Sequence, residues 1–403
     1  MVTPFGPSQR SAVAPFEVMD VLARVAEMRT EGRDVISLCA GEPSQGAPKG
    51  VHAAAERLHA ERRPLGYTPS LGTTALRGAI AGHYARWYDL DLDPAEVAVT
   101  TGSSGGFVLA FLAAFEAGDR VALAQPGYPA YRNILAALGC EVIDIECGPQ
   151  ERYQPTVPQL EATHAAAPLA GLVLASPANP TGTMVERGEL AAIAAWCSAH
   201  GVRLVSDEIY HGVTYPEPGA ADPRGVCARE LDEHAIIVSS FSKYWGMTGW
   251  RLGWLLLPED LCRPVDALAG NLALCPPAAA QEAALAAFTE ETYGECEAAL
   301  VEFARAREVL LEKAPALGWG AAAPADGAFY YWADLGKALA PFADSGEYAA
   351  ALLEDTGVAV TPGGDFDPAA GSRCVRLSLA AGPVAVGEAL DRIIAWQGSR
   401  LTL

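Results

Sequence analysis

Four stretches of this chain end a short apolar run with side chains that can do chemistry. SSFSKYWGMTGWR carries Ser240, Ser242, Lys243 and Arg251; LVSDEIY carries Asp207 and Tyr210; LVLASPANPTG carries Asn179; and TTGSSGG carries Gly102, Ser103 and Ser104. Lys243 lies among small and aromatic residues rather than on a charged face, which suits an amine nucleophile that forms a Schiff base with an aldehyde. Asp207, at an apolar strand end, suits a carboxylate that keeps a ring nitrogen protonated so that the ring accepts carbanion electrons. Asn179 and Tyr210 can hydrogen-bond a phenolic oxygen. Arg251, the two serines and the free N–H groups of the Gly102–Ser103–Ser104 turn can hold a phosphate dianion. A pyridine cofactor bearing an aldehyde, a phenolic oxygen and a phosphate uses every one of these groups.

Singly, each residue has a plainer reading: Asp as a helix cap, Asn before Pro as a turn, Arg as a surface ion pair. One competing constellation uses the same turn. Gly102, Ser104 and Gly106 spell G-x-S-x-G between a strand and a helix, the setting of a hydrolase nucleophile, with Asp207 and either His211 or His234 downstream in triad order. That reading leaves Lys243 and Arg251 without a task.

The elements that must position these groups follow from hydrophobic patterning. Seven apolar runs (EVAVTTG, RVALAQPG, EVIDIE, LAGLVLASP, RLVSDEIY, AIIVSSFSK and RLGWLLL) alternate with longer Ala-rich segments of helical period, which predicts an α/β sheet with helices on both faces. Ligands of such sheets bind beyond the carboxyl ends of the strands, where the reactive residues lie. Seven residues separate Lys243 from Arg251, fewer than a parallel crossover requires, so the last run is expected antiparallel or outside the parallel set, making the sheet mixed. Upstream, Phe16, Met19, Leu22, Val25 and Ala26 recur at helical spacing. After residue 258 a long Ala/Glu-rich helical stretch precedes the strand candidates GAFYYWADL, GVAVTPG and RCVRLSLA. The expected units are an arm and helix (1–45), packing with a smaller C-terminal α+β unit (286–403), and a large ligand-binding unit (46–285).

Composition narrows the function classes. With 403 residues, 51% hydrophobic and 19% charged, the chain can bury a large core and is neither disordered nor fibrous. A net charge of −21 repels phosphate backbones and anionic membranes, so no nucleic-acid or membrane partner is expected. A cofactor-sensing regulator would carry a basic DNA-binding appendage, for which this charge leaves no room. Nine scattered cysteines without a C-x-x-C suggest reduced thiols and no metal site. With no signal-peptide pattern at the N-terminus and no long apolar run, a cytoplasmic location is expected.

In order and spacing these motifs resemble the class I/II aminotransferases, pyridoxal-phosphate enzymes of fold type I. The match runs from about residue 15 to 396 through Gly41–Glu42–Pro43, Tyr67 and Gly72, TGSS, PGYPAY, NPTG, SDEIY, SFSK, Arg251 and VRLSLA. The resemblance implies that pyridoxal 5'-phosphate is the cofactor, that Tyr128 stacks on its ring, that Tyr67 reaches the phosphate of a neighbouring subunit, and that Arg376 pairs with the substrate α-carboxylate. It implies further that Gly41 lets the backbone approach the substrate, that Asn179–Pro180 is cis and that the protein is a homodimer. The implied reaction transfers an amino group from an L-amino acid to a 2-oxo acid by a ping-pong route; a C–S lyase or other elimination or cyclisation enzyme would use the same cofactor groups. Ser104 stands where relatives that prefer dicarboxylic substrates can carry a basic residue. With Val13, Phe16, Tyr131 and Phe329 near the expected pocket, a neutral or aromatic substrate side chain is favoured.

Overall fold

The computed structural model describes residues 6–400; the extreme ends of the expected arm and C-terminal unit, residues 1–5 and 401–403, lie outside the described residues. The seven apolar runs form the strands Val97–Thr101, Arg120–Gln125, Glu141–Glu146, Gly171–Ala175, Arg203–Asp207, Ile236–Ser240 and Leu252–Leu256. They make one sheet in which Val97–Thr101 pairs with Leu252–Leu256, followed by Ile236–Ser240, Arg203–Asp207, Gly171–Ala175, Arg120–Gln125 and Glu141–Glu146. The interior strands are buried on both faces because helices cover both, which is why they read as unbroken apolar runs. Glu141–Glu146 closes one edge with exposed glutamates at both ends, which discourages pairing with another strand.

Leu252–Leu256 is antiparallel to both neighbours, and the remaining pairings are parallel. The link after Ser240 is too short for a crossover, so the chain doubles back through the turn Thr248–Trp250 and sets Ser240 opposite Gly253. The reversal brings Arg251 beside Gly102, where the helix Gly102–Ala114 begins directly after the first strand.

The helix expected near the N-terminus spans Glu17–Thr30. Its apolar stripe is divided: Val25 and Met28 are buried, whereas Met19 is 58% exposed and Leu22 stands at the rim of a cavity. The following strand, Ile36–Ser37, pairs with Val358–Ala359, and Arg24 and Arg33 both reach Glu354 at 2.6 and 2.8 Å. The long helical stretch after residue 277 is not one helix. It breaks at Thr289, whose backbone is extended and whose hydroxyl accepts from the Thr292 N–H, separating Ala278–Ala284 from Glu290–Leu317. A three-stranded antiparallel sheet places Cys374–Ser378 between Thr361–Pro362 and Tyr330–Asp334. All nine cysteines are free thiols. Among the described residues no helix is long and apolar enough to cross a membrane, and no cluster of His, Cys, Asp or Glu is arranged to hold a metal ion.

Candidate active site

A cavity of about 610 Å³ opens at the carboxyl ends of the parallel strands, between them, the N-terminal helix and the C-terminal sheet. Of the residues given a catalytic, cofactor or substrate role in the aminotransferase reading of the sequence, all line it except Gly102, Ser240 and Tyr67. Gly102 lies directly behind the lining: its φ is +68°, and a Cβ there would stand 2.3 Å from Arg251 Nη2. Ser240 stands behind the lining residue Ser242, its hydroxyl shared between Ser242 Oγ at 2.8 Å and the Leu252 carbonyl at 3.1 Å while accepting from the Ser242 N–H. Tyr67 is 84% exposed and does not line this cavity. A larger groove of about 840 Å³ lies at the opposite ends of the strands, but its arginines are already paired, Arg203 with Asp260 at 2.6 Å and Arg229 with Glu96.

Burial sets the electrostatics. Lys243 Nζ donates to the Gly41 carbonyl at 2.5 Å and lies 5.5 and 6.0 Å from the ring centres of Tyr210 and Phe329. This apolar enclosure, with Arg376 nearby, pulls its pKa down to about 8 despite Asp207 and Glu42. Asp207 is 2% exposed, and burial lifts its pKa to about 6 against hydrogen bonds from Tyr131 and the Ile209 N–H. Burial also pushes Tyr210 up, so it remains a protonated donor.

Arg376 is 4% exposed and has no carboxylate partner among the described residues. Its Nη1 donates to Asn179 Oδ1 and its Nη2 to the Cys39 carbonyl, both at 2.9 Å, while Nε has no partner. A buried guanidinium in that state is a site for an anion. Holding Asn179 by its oxygen leaves the Asn179 amide N–H groups to donate elsewhere. Arg251, at the other end of the cavity, donates to the Thr248 carbonyl at 2.8 Å and likewise has no acid partner among the described residues. It lies beside the first turn of the helix Gly102–Ala114, so a cation and free N–H groups converge.

The hydrolase constellation does not assemble. No histidine lines the cavity. His211 is buried elsewhere, with Nδ1 2.6 Å from Tyr88 Oη, and His234 lines the groove at the opposite ends of the strands. Of the apolar candidates, Phe16 and Tyr131 line the cavity; Val13 is exposed, and Phe329 is packed behind Tyr210 and Tyr330. Tyr131 is more than apolar wall, since its hydroxyl donates to Asp207 Oδ2. Phe16 stacks on Tyr128 with ring centres 6.5 Å apart. Sequence reasoning passed over Tyr330, Leu22, Ile134, Asp365 and Phe366, which also line the cavity. For Tyr330 the available signal was its alternation with Trp332 beside Arg376 on the paired strand. Asn179–Pro180 is cis.

Residues 33–393 match the family model described as aminotransferase class I and II. A valine–pyruvate aminotransferase from Mycobacterium tuberculosis is 51% identical over 97% of this chain and 98% of its own length. An aspartate/prephenate aminotransferase from Thermus thermophilus is 34% identical over 94% of this chain and 96% of its own. Among solved structures, an aminotransferase from Mycobacterium tuberculosis superposes with a TM-score of 0.93 at 50% identity, covering 98% of this chain and all of that one. Thermus thermophilus aspartate aminotransferase with maleate gives 0.89 at 32% identity, covering 97% and 99%.

Proposed function

The chain belongs to the class I and II aminotransferase family, a pyridoxal-phosphate-dependent transaminase of fold type I, and from that premise we propose that its donors are L-amino acids with neutral, apolar side chains. The observation that carries the site assignment is Arg376, a buried guanidinium with no direct ion pair among the described residues, in the same cavity as an amine whose pKa is held low. The residues present fit the cofactor: Gly102 leaves room for Arg251 at a helix N-terminus, Asp207 is a buried carboxylate without a direct ion pair among the described residues, and Asn179 has amide N–H groups to spare.

When bound, pyridoxal phosphate supplies an aldehyde for the Lys243 amine and a ring that accepts electrons from the substrate Cα. Arg251, Ser242 and the N–H groups of Ser103 and Ser104 hold the phosphate, and Ser240 orients Ser242. Asp207, steadied by Tyr131, would keep a proton on the ring nitrogen, and Tyr128, on which Phe16 stacks, would pack against the ring. Arg376 binds the α-carboxylate in a forked pair and Gly41 leaves room for the substrate backbone, which fixes Cα near Lys243. The apolar enclosure that lowers the Lys243 pKa favours the unprotonated amine, so Lys243 would be the group placed to take and return a proton at the substrate Cα. One carboxylate site serves donor and acceptor in turn, which is the structural basis of ping-pong exchange.

Side-chain selection follows from the remaining wall. Phe16, Leu22 and Ile134 present apolar surface, and the cavity's only cations are Lys243, Arg251 and Arg376, each already assigned. Glu42 and Asp365 line the cavity as well and disfavour a second substrate carboxylate. The name of the Mycobacterium tuberculosis relative, a valine–pyruvate enzyme, supports the same class.

The same proposal divides the chain into an arm (1–45), a cofactor-binding unit (46–285) and a C-terminal unit (286–403). It makes the enzyme a homodimer in which Tyr67, exposed along with Leu65, Leu272 and Leu274, contributes to the neighbouring site. Nine free thiols suit a reducing cytoplasm. The test is the visible spectrum of the holoenzyme, before and after single amino acids added without a 2-oxo acid. Valine-like and aromatic donors should bleach the band stably and aspartate should not; recovery of the band with release of ammonia would instead mark a lyase. Lys243→Ala should abolish turnover, and normal turnover in that variant would refute the assignment.

A further inference from the structure

Tyr330 is fully buried, and its hydroxyl oxygen lies 2.8 Å from that of Tyr210, with the two rings edge to face at 5.6 Å. Each phenol has one proton to give, and one contact uses only one of them. No other hydrogen-bond partner of either hydroxyl is present among the described residues. One proton of the pair is therefore left to an acceptor in the cavity that both tyrosines line. The ring of Tyr330 has a separate task, carrying the Arg376 guanidinium 4.4 Å from its centre. A phenylalanine would do that equally well, so the hydroxyl calls for its own explanation.

We propose that Tyr330 is a positioning residue acting through Tyr210: its hydroxyl donates to the Tyr210 oxygen, commits the Tyr210 proton to the cavity and strengthens Tyr210 as a donor. The inference rests on Tyr210 facing the phenolic oxygen of the cofactor. Hydrogen bonds in series polarise one another, so the second phenol makes the first a better donor. A stronger donor draws negative charge off the phenolic oxygen and lowers the proton affinity of the neighbouring nitrogen through which Lys243 holds the cofactor.

The test uses substrate-free holoenzyme and follows the pH midpoint of the cofactor's visible absorption in four proteins: wild type, Tyr330→Phe, Tyr210→Phe and the double variant. Tyr330→Phe should raise the midpoint by about 0.2–0.7 pH unit, a change of roughly two- to fivefold in proton affinity, with a larger rise for Tyr210→Phe. Adding Tyr330→Phe to Tyr210→Phe should produce no further shift. An unmoved midpoint in Tyr330→Phe, or a shift that persists undiminished in the Tyr210→Phe background, overturns the relay while leaving the cofactor site intact. If Tyr210→Phe itself leaves the midpoint in place, the assignment of Tyr210 falls and the relay falls with it.

Discussion

Gly102→Ala tests the phosphate end of the site at a position where the geometry makes a quantitative demand. The residue has φ +68°, and an added Cβ would stand 2.3 Å from Arg251 Nη2 and 2.9 Å from Cζ. Two costs follow, and they fall on different observables. Holding alanine in the left-handed region destabilises the folded apoenzyme by about 1–2 kcal/mol. Displacing the guanidinium removes a charge-assisted hydrogen bond to the phosphate worth about 1.5–3 kcal/mol, which is about a 10- to 150-fold rise in the cofactor Kd. Titrating apoenzyme with pyridoxal phosphate by absorbance or fluorescence measures the second; denaturant unfolding of the apoenzyme measures the first. Gly105→Ala, in the same helix, is the control. Its Cβ would meet nothing closer than Thr101 Cβ at 3.6 Å, so cofactor affinity should stay at the wild-type value. A cofactor Kd within twofold of wild type in Gly102→Ala would refute the claim that Arg251 needs the space over this glycine to hold the phosphate.

Asp207→Asn should abolish tight cofactor binding yet stabilise the apoenzyme at pH 7, by on the order of 1–3 kcal/mol. The folded pKa of Asp207 is raised from 3.8 to about 6, so the folded state binds more protons than the unfolded between those values. The cost of the buried charge therefore grows as pH rises from about 4 to 6, and the gain from asparagine should shrink toward pH 4 in unfolding experiments. The cost of the Lys243 charge has the opposite course: its folded pKa is lowered from 10.5 to about 8, so that contribution is relieved as pH rises through 8 to 10.5. Arg376→Ala should lower kcat/KM for amino donors by about 30- to 5000-fold, the range for losing one partner of a buried charge pair, with the cofactor still bound; steady-state kinetics with cofactor content as control decide it.

The residues that gather around the cavity were legible in the chain because an open α/β sheet puts its ligand at the strand ends, and each strand announces its end as an apolar run giving way to polar residues. Lys243, Asp207, Asn179 and the Gly102–Ser104 turn could thus be located without knowing how the strands pair. The antiparallel course of Leu252–Leu256 followed from the shortness of one connection. The break at Thr289 was not legible, because Ala and Glu continue a helical pattern on both sides of it and a single threonine cap reverses the chain only when tertiary packing rewards the bend.

What escaped the sequence shares a physical cause. Tyr131 meets Asp207 across 76 positions and Tyr330 meets Tyr210 across 120. An aromatic residue in an apolar run gives no sign of whether its hydroxyl will find a buried partner. The same holds for the Ser240 hydroxyl, whose partners Ser242 Oγ and the Leu252 carbonyl no local pattern announces. Residue types and local order are written into the chain, so the sequence determined which chemistry is available and at which strand ends it stands. Distances between residues far apart in the chain are set by packing, so only the tertiary structure decided which hydroxyl tunes which acid and that Arg376 waits, buried, for an anion.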